Sequence, residues 1–353
     1  MRRAHFEAYA PVCPGCRGAG VDSPLRLARI LRGDAELVDQ GVLHCSEPRC
    51  QREYPILDGV PILVADVRAH VSHGLLGMLA RDDVDDVLMG LIGDCAGPES
   101  PLHAMRARLS SYAEGHYSDL DPEQPRPPAI LELVDRAAAL LPAPASAPAL
   151  VLGCSVGREC FALAGRVDGL VLGLDLDFST LRCAARIARA GRLRYARRRV
   201  GTVFEPVDRA ASFAGADRVD FWLADATALP LASSAAAFAT SFNLLDCVHD
   251  PLAHVHELDR VVRPGGSALI GTPYDWSPTA TAYPAWIGGH SQRGPHRGDA
   301  EPVLRGLFDP TWPQAAPGLR VVAEDPDIPW EVALHRRAAL RYRVHTLALA
   351  KPG

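Results

Sequence analysis

Three short segments in the second half of the chain carry residue types that can hold a nucleoside. The run VLGCSVGR at 151–158 is typical of a strand that ends in a glycine-bearing turn and opens a helix, which lets backbone amides approach a ligand closely. Asp175 follows at the end of the next strand, where a carboxylate can accept both hydroxyls of an adenosine ribose. Asp225 and Ala226 end a third strand, where a carboxylate can accept the exocyclic amine of adenine. Three such segments at these spacings are far more specific than one.

Four of the nine cysteines crowd the first 50 residues and have the spacing of metal ligands. Cys13 and Cys16 flank one turn, and Cys45 and Cys50 flank a second. Four thiolates so arranged can surround one Zn²⁺ tetrahedrally, which compensates for the small core of a short unit. Such an ion would be structural, because four protein ligands leave no position for water. The alternatives are a metal-free ribbon, or His44 replacing one thiolate.

The elements that must position these groups fall into three predicted domains. Residues 1–66 are turn-rich and predict a zinc-ribbon-like domain of two small β-ribbons. Residues 67–141 predict a helical bridge that can form a lid, with helices around 84–92 and 129–141. Strands and helices alternate over residues 149–353, which predicts βαβ units and a mainly parallel sheet covered on both faces. The fold class is therefore α/β.

The composition excludes several classes of protein. With 353 residues, 48% hydrophobic and 22% charged, the chain is neither disordered nor collagen-like nor a coiled coil. Its net charge of −5 disfavours a nucleic-acid partner. No apolar span reaches the roughly 20 residues of a transmembrane helix, and the first residues lack the apolar core of a signal peptide, so we expect a cytoplasmic protein without membrane contact. The arginines at 192–199 are expected to form a solvated face at a helix end.

The glycine turn and the acidic residues after the strands resemble those of the class I S-adenosylmethionine-dependent methyltransferases. The resemblance covers about residues 150–351 and includes the run RPGGSALIGTP at 263–273. It implies a Rossmann-like, mainly parallel seven-stranded sheet and S-adenosylmethionine as cofactor. The implied cofactor-binding residues are Gly153, Ser155, Gly157, Asp175, Asp225, Ala226 and Asn243. Val151 stands where this family usually has an acidic residue, and Ser155 replaces the middle glycine.

Tyr112 and Tyr117 precede this core in the run SYAEGHY. In many class I enzymes such a segment folds over the cofactor, so both tyrosines are candidate cofactor-binding residues. The alternative is an amphipathic helix that packs both rings in the core.

Two further resemblances concern the acceptor and the N-terminus. The runs GCSVGRECFALA, TPYDWSPTATAYPAWIGGH and IPWEVALHRRAALRYRVHTLALA resemble the C-terminal methyltransferase domain of ovothiol-synthesising enzymes, which methylates an imidazole nitrogen of a thiohistidine. The oxidative domains that precede it in those fused enzymes are missing here. Residues 10–66 are similar to the zinc-ribbon proteins that bind and activate RNA and protein methyltransferases, which makes a protein partner of the ribbon possible.

Candidate catalytic residues follow the fourth and fifth strands of the core. Ligands of an open parallel sheet lie beyond the carboxyl ends of its strands. Methyl transfer from a sulfonium is an in-line displacement, so the protein mainly aligns the nucleophile and removes its proton. The residues positioned for this role are Asp246, His249, Tyr274 and Asp275.

Trp276 and Trp286 could form the walls of a site for an aromatic substrate. The alternatives are that both indoles pack the long loop that contains them, and that His249 caps a helix.

The sequence thus predicts a methyltransferase that acts on a small amino-acid-derived acceptor, with a ring nitrogen of a histidine-like or thiohistidine-like imidazole preferred. One alternative is an RNA or protein methyltransferase in which the ribbon recruits the polymer. The other is a non-catalytic scaffold that binds the cofactor. The oligomeric state is left open.

Overall fold

The structure is a computed structural model that describes residues 1–80, 84–143 and 145–353. In these ranges thirteen strands alternate with ten α-helices. The strands are β1 (Leu25–Gly33), β2 (Val38–Cys45), β3 (Glu53–Leu57), β4 (Val60–Leu63), β5 (Ala149–Leu152), β6 (Val171–Asp175), β7 (Arg192–Val200), β8 (Val203–Ala210), β9 (Val219–Ala224), β10 (Ala236–Phe242), β11 (Val262–Thr272), β12 (Arg320–His335) and β13 (Ala338–Ala350). The helices are α1 (Arg3–Tyr9), α2 (Pro14–Arg17), α3 (Val67–Leu79), α4 (Asp86–Ala96), α5 (Pro101–His116), α6 (Ala129–Ala138), α7 (Arg158–Ala164), α8 (Phe178–Ala190), α9 (Pro251–Val261) and α10 (Glu301–Gly306). No helix of the described chain is long and apolar enough to cross a lipid bilayer.

Eleven of the strands form one sheet in the order β1-β2-β3-β4-β9-β6-β5-β10-β11-β13-β12. The pairs from β4 to β11 are parallel, and β13 runs antiparallel to both of its neighbours. The predicted α/β class and mainly parallel core sheet are confirmed. The core has the expected seven strands, from β9 to β12, and the N-terminal strands add four more at the β9 edge.

The parallel strands are buried on both faces because alternate side chains point into two separate cores. Val151 of β5 packs with α6, α7 and α8 on one face, whereas Leu150 and Leu152 pack with α9 and α10 on the other. Local signals define the ends of the helices that cover the sheet. Asp177 caps α8 by accepting a hydrogen bond from the Ser179 amide at 2.9 Å.

The N-terminal segment is joined to the core by its backbone as well as by side chains. Strand β4 pairs in parallel with β9, with Ile62 opposite Leu223. The Tyr9 hydroxyl donates a 2.7 Å hydrogen bond to the carbonyl of Ala149, the first residue of β5. The Val12 amide donates to the Pro230 carbonyl at 3.0 Å. Residues 1–66 therefore complete the sheet edge that β9 would otherwise expose.

Two features of the fold differ from the sequence-based expectation. The arginines at 192–199 lie in strand β7, which pairs with β8 as a separate hairpin, and not at a helix end. Arg197 contacts Glu205 across this hairpin, so cross-strand charge pairs hold the arginines in the strand. The second feature is α5, a 16-residue helix that the periodicity did not reveal. Helices α3, α4, α5 and α6 occupy the predicted bridge.

Tyr9→Phe is expected to lower the free energy of unfolding by about 1–2 kcal/mol, because it removes a buried hydrogen bond between α1 and β5 and leaves the Ala149 carbonyl without this donor. Urea denaturation measures this change in the free energy of unfolding. Tyr283→Phe, at an exposed ring, is the matched control and should change it by less than about 0.5 kcal/mol. Equal effects in both variants would show that the hydrogen bond from α1 does not stabilise the core.

Candidate active site

A cavity of about 690 Å³ opens at the carboxyl ends of β5, β6, β9 and β10. Its volume lies within the range of about 300–1,000 Å³ that is usual for small-molecule sites. Helices α3 and α5 cover it, and Met78 and Tyr112 contribute to this cover. We call the end near Asp225 the adenosine side, and the end near Cys247 and Trp330 the acceptor side.

The turn between β5 and α7 has left-handed backbone at three alternate positions. The φ angles are +73° at Gly153, +49° at Ser155 and +82° at Gly157. A Cβ at Gly157 would lie 2.6 Å from the Phe221 ring, so this glycine is needed for packing in the core and does not face the cavity. Gly153 and Ser155 line the cavity. Close packing thus forces the turn to present its backbone to the cavity.

Asp175 is held at the floor of the cavity by two backbone amides. Its Oδ2 accepts from the Ser155 amide and its Oδ1 from the Asp177 amide, each at 2.8 Å. Burial raises the pKa of Asp175 to about 6, although both hydrogen bonds oppose that change. The oxygens keep further lone pairs for the two hydroxyls of a ribose.

Asp225 and Ala226 line the adenosine side, as the sequence predicts for residues after a third strand. Asp225 Oδ1 accepts from the Thr227 amide at 2.8 Å, which fixes the carboxylate. The His249 Nδ1 lies 3.8 Å from Asp225 Oδ2. The structure therefore places His249 at the adenosine side of the cavity and not beside the other predicted catalytic residues.

Four buried polar atoms on the cavity wall have no hydrogen-bond partner among the described residues. They are His116 Nδ1, Ser155 Oγ, Asn243 Oδ1 and Glu159 Oε1. Unpaired buried polar groups are costly, so a wall that carries four of them fits a polar ligand. Together with Asp175 and Asp225, these residues fit S-adenosylmethionine.

The acceptor side has a pair of carboxylates behind its wall. Asp246 is 2% exposed, its Oδ2 accepts from the Asp275 amide at 2.7 Å, and its Oδ1 has no partner. Burial raises the pKa of Asp246. The Asp275 carboxylate accepts from the Tyr342 hydroxyl at 2.9 Å, and the Tyr342 ring stacks on Trp330, which lines the cavity. The structure therefore brings Asp246 and Asp275 together.

Tyr274 belongs to a chain of hydrogen bonds next to this pair. Its hydroxyl lies 2.5 Å from His345 Nδ1, and His345 Nε2 lies 3.1 Å from Glu324 Oε1. Arg305 donates to Glu324 at 2.7 Å. Tyr274 has a left-handed φ of +57° and does not line the cavity, so its hydroxyl is oriented by His345 instead of by a ligand.

The two predicted aromatic walls lie elsewhere in the fold. Trp276 and Trp286 stack on each other with ring centroids 6.0 Å apart, and neither lines the cavity. The Trp286 indole donates to the Thr281 carbonyl at 2.8 Å, which ties it to its own loop. This arrangement matches the packing alternative, and the indole on the cavity wall belongs to Trp330.

The two predicted tyrosines of α5 have different environments. Tyr112 lines the cavity. Tyr117 follows the last turn of the helix and is fully buried, and its hydroxyl donates to the Val156 carbonyl at 2.7 Å. Tyr117 therefore supports the glycine turn from below and does not reach the cavity.

The four N-terminal thiols converge. Their sulfur atoms all lie within 4.8 Å of one another, with Cys13 and Cys50 at 3.8 Å and Cys16 and Cys45 at 3.6 Å. A tetrahedral zinc ion with Zn–S bonds of about 2.3 Å requires sulfurs about 3.8 Å apart. The four-residue gap between Cys45 and Cys50 thus does not prevent this geometry, and the cluster can hold a metal ion.

Sequence reasoning missed several groups on the cavity wall. Glu159 is 5% exposed and lies in the first turn of α7. In the sequence, the feature that could have revealed Glu159 is an acidic residue at the start of the largely apolar helix RECFALA. Trp330 comes from β12, and His70 and His116 come from the helical cover. Their approach to the cavity depends on how distant segments pack.

Comparison with known proteins finds a family match for part of the core. Residues 150–270, about one third of the chain, match a family described as a methyltransferase domain. This segment contains the glycine turn, Asp175, Asp225 and Asn243 and is therefore similar to a methyltransferase domain. No curated protein matches the sequence.

Several solved structures are similar to this chain at a low level. Phosphoethanolamine N-methyltransferase 2 of Haemonchus contortus, in complex with S-adenosylmethionine, is 19% identical with a TM-score of 0.30, and the alignment covers 40% of this chain but 27% of that enzyme. The Haloferax volcanii complex of the Trm112 methyltransferase activator with a putative methyltransferase is 15% identical with a TM-score of 0.40, over 69% of this chain and 98% of that one. An S-adenosylmethionine-dependent methyltransferase of Mesorhizobium loti is 23% identical with a TM-score of 0.30, and the alignment covers 40% of this chain and 56% of that one.

The Glu159 carboxylate makes the stability of the ligand-free protein depend on pH. Burial raises its pKa from 4.5 to about 7, with the Thr240 hydroxyl and the Cys154 and Cys160 thiols as its polar neighbours. Because the folded protein holds this proton more tightly than the unfolded chain, the carboxyl costs stability as pH rises from about 4.5 to 7.

Glu159→Gln removes this titration. Its free energy of unfolding relative to wild type should therefore increase between about pH 5 and pH 8, by up to about 3 kcal/mol. Denaturant titrations at the two pH values measure the difference. Glu132→Gln, at an exposed position of α6, should show no such change. If the difference in free energy of unfolding between Glu159→Gln and wild type is the same at both pH values, the Glu159 carboxyl does not have the raised pKa that burial without a counter-charge would cause.

Proposed function

We propose that this protein transfers a methyl group from S-adenosylmethionine to a small amino-acid-derived acceptor, at a ring nitrogen of a histidine-like or thiohistidine-like imidazole. The observation that carries the proposal is the covered cavity. It has Asp175 and Asp225 along one part of its floor, and the Asp246–Asp275 pair lies behind its other end.

The size and cover of the cavity support a small acceptor over a polymer. Helices α3 and α5 close over the space beyond the strand ends, and Met78, Met105 and Tyr112 are part of its wall. A folded RNA or protein could reach such a site only by inserting a single residue. The net charge of −5 also opposes the counterion release that drives RNA binding.

Asp175 and Asp225 would hold the ribose and adenine of the cofactor, while Ser155 and Asn243 offer unpaired polar atoms beside them. When bound, S-adenosylmethionine supplies an electrophilic methyl group on a sulfonium. The residues of the chain then have to place a neutral nitrogen lone pair in line with that methyl group and exclude water.

Asp246 would orient the acceptor. An imidazole presents a lone pair on one ring nitrogen only while the other nitrogen carries the proton. Asp246 does not itself line the cavity, but the next residue, Cys247, does. Asp246 Oδ1, which has no partner among the described residues, would therefore have to accept that N–H at the edge of the wall and point the opposite nitrogen toward the cofactor. As the new C–N bond forms and the sulfonium C–S bond breaks, the ring becomes cationic, and a carboxylate stabilises that charge and takes the proton.

Asp275 would act through Asp246 and Tyr342, and Tyr274 would act through the hydrogen bond of its hydroxyl to His345 beside this pair. The Asp275 amide fixes one oxygen of Asp246, and the Asp275 carboxylate ties Tyr342, whose ring stacks on Trp330. Trp330 is the aromatic side chain that can pack against a planar acceptor, in place of Trp276 and Trp286.

A structural zinc ion in the Cys13, Cys16, Cys45 and Cys50 cluster is the second part of the proposal. The Tyr54 hydroxyl lies 3.0 Å from the Cys13 sulfur and would support that ligand from the outer shell. All nine cysteines lie in described parts of the chain and carry free thiols. Free thiols agree with the cytoplasmic location that the sequence predicts.

The acceptor is tested by mass spectrometry of reactions that contain the purified protein, S-adenosylmethionine and a panel of histidine, thiohistidines and histidine-containing peptides. The expected product gains 14 mass units on the ring. Asp246→Asn should slow turnover at least about tenfold with cofactor affinity retained, because its amide cannot take the proton. Tyr274→Phe should likewise slow turnover, whereas Asp175→Ala should lose cofactor binding.

Methylation of RNA or of a protein, with no product from the panel, would favour the polymer alternative. Binding of the cofactor without turnover on any acceptor would favour a scaffold. Full turnover by Asp246→Asn and Tyr274→Phe would show that the reaction occurs elsewhere.

The zinc proposal predicts one zinc ion per chain by elemental analysis. Cys16→Ser and Cys45→Ser should lose the ion and lower the Tm by several degrees, because metal binding is coupled to folding of the ribbon. Cys95→Ser, at an exposed cysteine of α4, is the control and should keep both metal and Tm. A metal-free protein with an unchanged Tm after chelation would contradict the proposal.

A further inference from the structure

We propose that Glu159 binds the α-ammonium group of the methionine part of S-adenosylmethionine, in place of the acidic residue that Val151 has replaced. The inference rests on the proposed cofactor and concerns how this chain holds it. It assigns a binding role to a residue that is not among the sequence-predicted site residues.

The position of Glu159 follows from the order of the strands. Asp225 follows β9 and Asp175 ends β6, so the adenosine part extends over these two neighbouring strands. The next strands in the sheet are β5 and β10, and the methionine part must lie beyond their ends. Glu159 is in the first turn of α7, directly after the turn that ends β5, and it lines the cavity.

Glu159 also lies beside the position of the missing acid. Val151 of β5 is paired with Thr240 of β10 in the parallel register, and the Thr240 side chain is a neighbour of the Glu159 carboxylate. Val151 and Glu159 thus share Thr240 as a neighbour, one on the sheet and one on the helix that covers it. Helix α7 can therefore supply a carboxylate to this region, although β5 has Val151 there and supplies none.

No positive side chain of the described residues pairs with the carboxylate. Glu159 is 5% exposed and takes part in no ion pair with them. Its Oε1 is buried without a hydrogen-bond partner among these residues, and the nearby Thr240 hydroxyl favours the charged form of the carboxyl. The adjacent Arg158 turns away and pairs with Asp119 at 2.6 Å. A buried carboxylate without a counter-ion on a cavity wall is complementary to a cationic ligand group.

The chemistry of the cofactor identifies which of its groups fits. Its α-carboxylate would be repelled by Glu159. Two cationic groups remain, and the ammonium can donate three hydrogen bonds, whereas the sulfonium has none to donate. A buried carboxylate on the cavity wall with an unpaired oxygen therefore matches the ammonium.

Three ligands separate these groups in a calorimetric binding experiment with the full chain. S-adenosylmethionine has both cations, S-adenosylhomocysteine has the ammonium without the sulfonium, and methylthioadenosine has neither. Glu159→Gln should weaken S-adenosylhomocysteine roughly 10- to 100-fold, the usual effect of losing a charge-assisted hydrogen bond in a buried site. S-adenosylmethionine should be weakened to the same degree, and methylthioadenosine less than about twofold.

Glu132→Gln is the matched control and should bind all three ligands as the wild type does. Retained affinity of Glu159→Gln for methylthioadenosine also shows that the variant is folded. Equal losses for all three ligands would overturn the inference and give Glu159 a structural role. A loss confined to S-adenosylmethionine would overturn it in favour of the sulfonium, and unchanged affinities would overturn it outright.

These outcomes differ from failure of the proposed function. If wild-type protein binds S-adenosylhomocysteine but methylates no compound of the panel, the acceptor proposal fails, while the comparison of variants still decides the role of Glu159. If wild-type protein binds none of the three ligands, the cofactor premise itself is wrong and this inference falls with it.

Discussion

The backbone turn after β5 is the constraint on which the rest of the site depends. Gly157 packs so closely on Phe221 that a Cβ would meet the ring at 2.6 Å, and Ser155 accepts a left-handed conformation in the same turn. Because one side of the turn packs against β9, its backbone amides face the cavity, and the Ser155 amide donates to Asp175. The Tyr117 hydroxyl, just after α5, donates to the Val156 carbonyl of the same turn. The helix that covers the cavity is therefore bonded to the turn that forms its floor.

The N-terminal segment covers the edge of the same sheet at β9. A parallel sheet that ended at β9 would expose an edge of unpaired backbone groups and the strand Val219–Ala224, which is buried throughout. Strand β4 pairs with this edge, and α1 reaches under the sheet to Ala149. The cysteine cluster lies within this added segment, so an ion bound there would stabilise the edge of the sheet. Residues 1–66 are therefore part of the same sheet as the core.

Several buried carboxylates near the cavity lower the stability of the folded protein. Burial raises the pKa of Asp175 to about 6 and of Glu159 to about 7, and it also raises the pKa of Asp246. Asp175 and Asp246 are partly compensated by backbone amides, but Glu159 is not. Polar groups that are costly in the ligand-free protein are the groups that a polar ligand in the cavity can satisfy.

The sequence by itself determined the features that depend on local patterns. Alternating strands and helices, the glycine turn, Asp175 and Asp225 after their strands, and the four clustered cysteines are all set by neighbours along the chain, and the structure has each of them where the pattern predicts. Tertiary packing decided what depends on distant segments. It directed the Tyr117 side chain into the core and placed His249 beside Asp225. It stacked Trp276 on Trp286 away from the cavity. It also brought Glu159 and Trp330 to the cavity wall. Periodicity records which residues are apolar, but the direction of a side chain near a turn or in a long hairpin depends on what packs against it.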